Sequence, residues 1–173
     1  MSLVQIEDTS PPYISPQSFI DSALFERTFD EGMSLVEETA RYLDGRGREE
    51  SRVLSRNAAL LYAGESMRVT TRLMQAASWL LIQRAVREGE IEAEDAASER
   101  YRLGSKEICF GGQGENLETL PRALRDLLDR SEQLYRRIAR LEEALLQGME
   151  SAKPAVQAHF ERLQQSFGAL SSV

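Results

Sequence analysis

Apolar residues recur at every third or fourth position in three long segments of this chain, which is the spacing of one face of an α-helix. The segments cover residues 15–44, about 50–88 and 117–145. A chain of 173 residues is long enough for one domain with its own core. We therefore predict an all-α fold, an elongated three-helix bundle over residues 15–146 that follows a flexible arm at residues 1–14.

The first predicted helix begins at Ser15, which can cap free amide groups, and Pro16, which is tolerated at the first helical position. Its apolar residues fall on one face, which we interpret as core: Phe25, Phe29, Val36, Ala40 and Leu43. It ends at Asp44, because Gly45 can adopt the left-handed conformation that closes a helix. Residues 45–48 are predicted as a short turn.

The second predicted helix carries apolar residues on two opposite sides. One stripe is interpreted as core: Leu60, Ala63, Met67, Thr70, Met74, Ala77, Leu81 and Ala85. The opposite stripe is the candidate dimer or partner surface: Leu61, Arg68, Arg72, Gln75, Trp79, Ile82 and Val86. A surface helix needs one apolar stripe, so a helix with two must contact protein on both sides.

Three explanations remain open for the opposite stripe. The other helices, or the acidic connection folding back, cover it; it forms a homodimer interface around a two-fold axis; or it binds a different protein. We expect a homodimer that buries Trp79, Ile82 and Val86. Arg68 and Arg72 would then lie at the rim, where charges affect orientation and association rate more than affinity.

The third predicted helix has the most regular pattern. Its core residues alternate three and four positions apart, the heptad spacing of long packed helices: Leu117, Leu120, Leu124, Leu127, Ser131, Leu134, Ile138, Leu141 and Leu145. A break is predicted at residues 147–153. Residues 147–173 form a tail with a second apolar stripe: Val156, Phe160, Leu163, Phe167 and Leu170. This tail either docks permanently as a short fourth helix or folds only in a groove of the bundle or of a partner.

Residues 88–114 form a long connection between helices two and three. Residues 88–99 contain six acidic residues and no basic ones. We expect a helical turn or two at residues 93–101 and a partly docked loop at residues 103–114. Because like charges repel and the glycines supply little packing, we expect this connection to be the most mobile internal segment.

Composition narrows the classes of function. The net charge of −7 argues against nonspecific nucleic-acid binding, which depends on basic side chains. The single cysteine, Cys109, and the single histidine, His159, predict no catalytic pair, metal site or cofactor. No segment has the roughly 20 apolar residues of a membrane helix, so we expect a soluble cytoplasmic protein that does not bind membranes.

Three blocks resemble one known family. They are YLDGRGR at residues 42–48, ESMRVTTRLMQAASWLLIQRAV at residues 65–86 and SEQLYRRIARLE at residues 131–142. Their order and content are similar to the alphaproteobacterial regulator of CtrA degradation family, whose members are three-helix bundles that dimerise. The resemblance implies a non-enzymatic proteolysis adaptor in cell-cycle control, with members that gather at the cell pole.

The implied partners are a ClpX-type AAA+ unfoldase with its peptidase, a single-domain response regulator, and cargo proteins such as transcription regulators. Such an adaptor raises the local concentration of cargo at the protease and needs binding surfaces rather than a catalytic group. The alternative is a nucleic-acid- or transcription-associated helical protein, because the third helix carries six arginines. They are interleaved with acidic residues, so we expect a charge-balanced face and consider nucleic-acid binding the less favoured reading.

Overall fold

The computed structural model of the chain describes Ser18, residues 22–111 and residues 116–170, with side chains described through Glu150. This part of the chain is all-α and contains no strand. Its helices are α1 (Ala23–Asp44), α2 (Arg46–Arg52), α3 (Arg56–Arg87), α4 (Ala93–Ala96), α5 (Lys106–Phe110) and α6 (Arg122–Leu170). Short 3-10 turns lie at Glu99–Tyr101 and Leu117–Thr119. Three long helices pack together, as predicted, and three short ones join them.

Helix α1 begins after Ser22, whose hydroxyl accepts a hydrogen bond from the Phe25 amide. The predicted start at Ser15 lies outside the described residues. The helix ends at Asp44 as predicted, although Gly45 has a φ of −106° and is not left-handed. Its buried face is rotated from the predicted one, because the small residues Thr28, Gly32 and Thr39 approach the core. The buried residues of the helix are Phe25, Thr28, Phe29, Gly32, Leu35 and Thr39. Val36 and Leu43 are half-buried, and Ala40 is exposed.

The segment after α1 is a helix rather than the predicted turn. Residues 46–52 form α2, and α3 starts only at Arg56, capped by the Ser55 hydroxyl, which accepts from the Ala58 amide. The second long helix is therefore shorter than expected at its beginning. Its end is as predicted: Gly89 follows with a φ of +74°, a left-handed conformation that favours glycine.

The heptad pattern of the third helix is confirmed. Its central members are almost fully buried: Leu120, Leu124, Leu127, Ser131, Leu134 and Ile138. The predicted break at residues 147–153 is wrong, because α6 continues as one helix to Leu170. A glycine weakens a helix, and a proline removes one hydrogen bond and bends it, but neither must end it. The tail stripe from Val156 to Leu170 lies outside the residues whose side chains are described.

Helix α1 runs antiparallel to α3 and α6, which are parallel to each other. Arg72 in the first half of α3 reaches Leu128 of α6, while Val86 at the end of α3 shares a pocket with Met149. Gly32 of α1 lies where its Cβ would meet Leu80 at 2.7 Å, so the glycine permits close approach of these helices. Because parallel neighbours cannot be joined by a tight turn, the chain must return along the bundle between residues 88 and 121.

The junction of α1 and α2 is tightly packed around Gly47. A Cβ atom at this position would lie 2.5 Å from the Tyr62 hydroxyl oxygen and 2.8 Å from the backbone oxygen of Tyr42. The Tyr42 hydroxyl donates to Glu50 at 2.9 Å, and burial together with this hydrogen bond raises the pKa of Tyr42. The backbone contact cannot relax by a side-chain rotation, so the site requires glycine.

We expect Gly47→Ala to destabilise the protein by about 1–3 kcal/mol, the usual cost of overpacking a well-packed site. The matched control is Gly64→Ala in α3, where nothing lies within 4 Å of the added Cβ. There alanine should stabilise the helix by about 0.5–1 kcal/mol. Urea unfolding of both variants measures the difference, and equal effects of the two changes would contradict the tight junction.

Candidate interaction surfaces

The stripe of α3 that the sequence pattern assigns to the core is the exposed side of the helix. Four of its long side chains are more than half exposed: Leu60 (68%), Met67 (71%), Met74 (65%) and Leu81 (52%). The smaller members are exposed or half-buried: Ala63, Thr70, Ala77 and Ala85. The core assignment of this stripe is therefore wrong. We call the side of α3 from Leu60 to Leu81 the front face.

The front face carries no charge. Every exposed position of α3 from residue 57 to residue 83 has an uncharged side chain. Beside it, an apolar groove of about 310 Å³ runs between α1 and α3, with Val36, Leu43 and Met74 among its lining residues. Extended apolar surfaces on soluble proteins ordinarily mark sites of interaction. The front face and its groove are the strongest candidate interface in the described part of the chain.

The opposite stripe, predicted as the dimer or partner surface, is covered within the chain. Arg72, Trp79 and Val86 are buried, while Leu61, Arg68, Gln75 and Ile82 are half-buried. Helix α6 and the connection between α3 and α6 lie over them, so the explanation in which the connection folds back is the one that this fold supports. These seven residues therefore do not form an open surface, and their prediction as one is wrong.

Arg72 is the centre of this covered side. Its Nε donates to the carbonyl of Cys109 at 2.9 Å, and its Nη1 donates to the carbonyl of Leu128 at 3.2 Å. Its Nη2 lies 3.3 Å from a carboxylate oxygen of Glu132. Burial lowers the pKa of the Arg72 guanidinium, and the neighbouring carboxylate of Glu132 opposes that effect. One side chain thus joins α3, α5 and α6.

Other side chains bind the backbone of the connection. Gln75 accepts from the Gly104 amide at 2.9 Å, Tyr135 donates to the Gly104 carbonyl at 2.9 Å, and Glu142 accepts from the Leu103 amide at 2.7 Å. Arg68 donates to the Gly111 carbonyl at 2.5 Å. Residues 103–111 are therefore docked on α3 and α6, in agreement with the partly docked loop predicted for this part of the connection.

The first half of the connection has the helical turns that the sequence predicts. A helical turn lies at Ala93–Ala96 and a 3-10 turn at Glu99–Tyr101, where a turn or two was predicted. The acidic side chains of residues 88–99 are all exposed. This half of the connection forms a negatively charged strip at the α3 end of the bundle.

The arginines of α6 are largely paired with acidic residues. Arg130 contacts Glu38 at 2.8 Å and Arg137 contacts Glu31 at 2.5 Å, which joins α6 to α1. Arg136 lies 2.7 Å from Glu132 on its own helix. Such neutralised arginines do not make the basic face that phosphate binding requires. The arrangement therefore does not favour the nucleic-acid alternative.

The described residues offer neither a metal site nor a membrane-spanning helix. No group of three or more potential metal-ligating side chains is present there. No described helix is long and apolar enough to cross a membrane. Cys109 is fully buried, and burial raises the pKa of its thiol, so it is held in the unreactive protonated form.

We expect Arg72→Met to destabilise the fold by about 2–6 kcal/mol, because two buried backbone carbonyls lose their donors at about 1–3 kcal/mol each, while Glu132 keeps Arg136. Hydrogen exchange should accelerate more in residues 103–111 than in α1. The matched control is Arg130→Met, whose ion pairs are exposed and are worth about 0–1 kcal/mol. Unchanged protection of residues 103–111 in Arg72→Met would contradict the docking role of this side chain.

Comparisons with known proteins identify the family of the chain. The family model described as "Protein of unknown function (DUF1465)" matches residues 16–167. The crystal structure of RcdA from Caulobacter crescentus CB15 matches with 56% sequence identity and a TM-score of 0.62, over 75% of this chain and 96% of that chain. No curated protein matches. The family model spans most of the sequence and the solved relative is more than half identical, so the predicted family is confirmed: the chain belongs to the DUF1465 family and is a homologue of RcdA.

Proposed function

We propose that this protein is a non-enzymatic adaptor of regulated proteolysis that binds cargo and a ClpX-type AAA+ unfoldase with its peptidase. Homology to RcdA, a regulator of CtrA degradation, supports this role. The structural observation that carries it is the uncharged front face of α3. An adaptor works by effective concentration and therefore needs separate binding surfaces. A single-domain response regulator and transcription-regulator cargo are the proposed further partners, in cell-cycle control in the cytoplasm and at the cell pole.

We propose the front face as the homodimer interface, in place of the buried opposite stripe. Its residues are symmetric about a point between Thr70 and Thr71. Two copies of α3 crossing antiparallel at that point would place Leu60 against Leu81 of the second copy and Met67 against Met74 of the second copy. A two-fold interface requires such a self-complementary surface.

The burial of these side chains is a driving force of the size that a dimer needs. Full burial of a leucine or methionine side chain contributes about 1.5–3 kcal/mol. Two copies would bury eight such side chains from the front face, each now more than half exposed. Association costs about 4–15 kcal/mol in lost freedom of motion. Scaled by the exposed fraction of each side chain, the apolar gain is of the same order as that cost, and the groove beside α1 adds further contact.

We expect Met67→Glu to convert the dimer to monomer with unchanged helical circular dichroism, because each copy would place a carboxylate against apolar surface. The dimer dissociation constant should rise by about 100-fold or more, since an unpaired buried charge costs several kcal/mol. The double variant Met67→Glu/Met74→Lys should dimerise again, because each glutamate would then meet a lysine of the second copy. Analytical ultracentrifugation measures all of these species.

The matched control is Ala144→Glu, which adds the same charge at an exposed position on α6 away from the front face. It should leave the dimer unchanged. A double variant that remains as monomeric as Met67→Glu would contradict the antiparallel pairing. A wild-type protein that stays monomeric at all accessible concentrations would contradict the homodimer itself.

The tail at residues 147–173 is proposed as a second partner-binding segment. Val156, Phe160, Leu163, Phe167 and Leu170 form one stripe in the sequence, on the helical part of α6 beyond the core. An apolar stripe of this length fits the groove-binding mode of amphipathic helices. The tail belongs to α6 and the front face to α3, so the two segments can engage different partners.

We expect deletion of residues 151–173 to leave the melting temperature nearly unchanged and to abolish delivery of cargo to the unfoldase and its peptidase. The reason is that the stripe would serve a partner rather than the core of the bundle. Differential scanning fluorimetry and a reconstituted degradation assay measure the two effects. A drop of many degrees on truncation would show that the tail is part of the core.

A further inference from the structure

A half-open pocket lies at one end of the bundle, under the acidic half of the connection. It is formed by the last turns of α3, by α4 and by α6. It is small, with a volume of about 30 Å³ compared with about 310 Å³ for the groove beside the front face. Its walls are mostly apolar, with Trp79, Val86, Ala96, Leu145 and Met149 among the lining residues. A space of this size and lining accommodates an apolar side chain better than a large cofactor.

A buried amide opens into this pocket. Gln83 is only 7% exposed and lines the pocket, yet its side chain has no hydrogen-bond partner among the described residues. The amide atoms themselves are not sealed from solvent in the pocket, and an amide offers both donors and an acceptor to a group that enters it. Its position therefore fits the N–H or C=O group of a polypeptide backbone that enters beside an apolar side chain.

The rim of the pocket is negatively charged. Glu94 and Glu150 line the adjoining cavity, and Glu94 belongs to the six exposed acidic side chains of residues 88–99. Within the part of the chain that is described, Glu88 is the member of the six that forms an ion pair, with Arg84. Two cations lie nearby: Arg102 lines the pocket and donates to the Ala97 carbonyl, and Arg100 lies over the Tyr101 ring. Clustered acidic side chains of this kind attract a basic partner.

We infer that this pocket binds a basic peptide segment of a partner protein, with one leucine, isoleucine, phenylalanine or methionine side chain inserted between α3, α4 and α6. Lysine or arginine residues on either side of that anchor meet the carboxylates of residues 88–99. The Gln83 amide pairs with the peptide backbone. The inference rests on the proposed adaptor function, which it deepens by giving the chemistry of one partner segment, and it uses a surface separate from the front face.

The test uses the full chain and a fluorescently labelled synthetic peptide with one leucine flanked by lysines and arginines. Fluorescence anisotropy should show binding that weakens with salt, because screening reduces the attraction between exposed charges. Two comparison peptides, one with alanine in place of the leucine and one with glutamates in place of the basic residues, should each bind at least about tenfold more weakly.

Two variants test the pocket itself. Gln83→Leu should keep or raise the melting temperature, because no hydrogen bond within the protein is lost, and should weaken peptide binding by about tenfold. Glu92→Gln/Glu94→Gln should weaken binding mainly at low salt. Its matched control, Glu49→Gln/Glu118→Gln, removes the same charge from exposed positions at the other end of the bundle and should bind normally.

Failure of binding by all three peptides, or wild-type affinity in a folded Gln83→Leu variant, would overturn the inference. Cargo delivery measured in parallel separates the two proposals. Peptide binding at the pocket without any delivery of cargo would contradict the adaptor role and support the pocket. Delivery by a protein that binds none of the peptides would contradict the pocket and leave the adaptor role standing.

Discussion

The structure depends on one buried guanidinium. Removing Arg72 from water is costly, and the cost is offset only because two backbone carbonyls and the Glu132 carboxylate surround it. The Cys109 carbonyl belongs to the connection and the Leu128 carbonyl to α6. The same interaction therefore decides which side of α3 is covered. Once that side lies under α6 and the connection, the other side must face outward.

This constraint explains why the sequence predicted α6 well and α3 poorly. The leucine heptads of α6 are apolar on one face alone, so the core side follows from the pattern. In α3 both sides are apolar, and the buried side also holds Glu65, Arg72 and Gln83. Charged side chains in a helix ordinarily face solvent. The periodicity of α3 therefore predicts that the uncharged stripe is buried, which is wrong. Some polar side chains of α3 hydrogen-bond to the backbone of a distant loop. These tertiary contacts cannot be predicted from the periodicity of the sequence.

The candidate surfaces, like the helices, could be predicted from the sequence only in part. The front face could be recognised as a list of apolar positions but not as exposed surface, whereas the family resemblance was found because the α3 block is distinctive. The end pocket had no signal in the sequence beyond the acidic run, because its walls come from three separated segments. The protein thus presents an apolar face along α3 and an acidic, pocketed end, two surfaces of different chemistry on one rigid bundle.

The parallel arrangement of α3 and α6 has a consequence for the order of folding. The contacts of Arg72 with Leu128 and Glu132 span 56 and 60 residues of sequence, so closing them costs the entropy of a long loop. The antiparallel pair α1 and α3 is connected by a short segment and can associate first. Helix α6 and the connection then add to this pair together, because each completes the polar contacts of the other. Docking of α6 should accordingly be the slow step of folding, as expected for contacts distant in sequence.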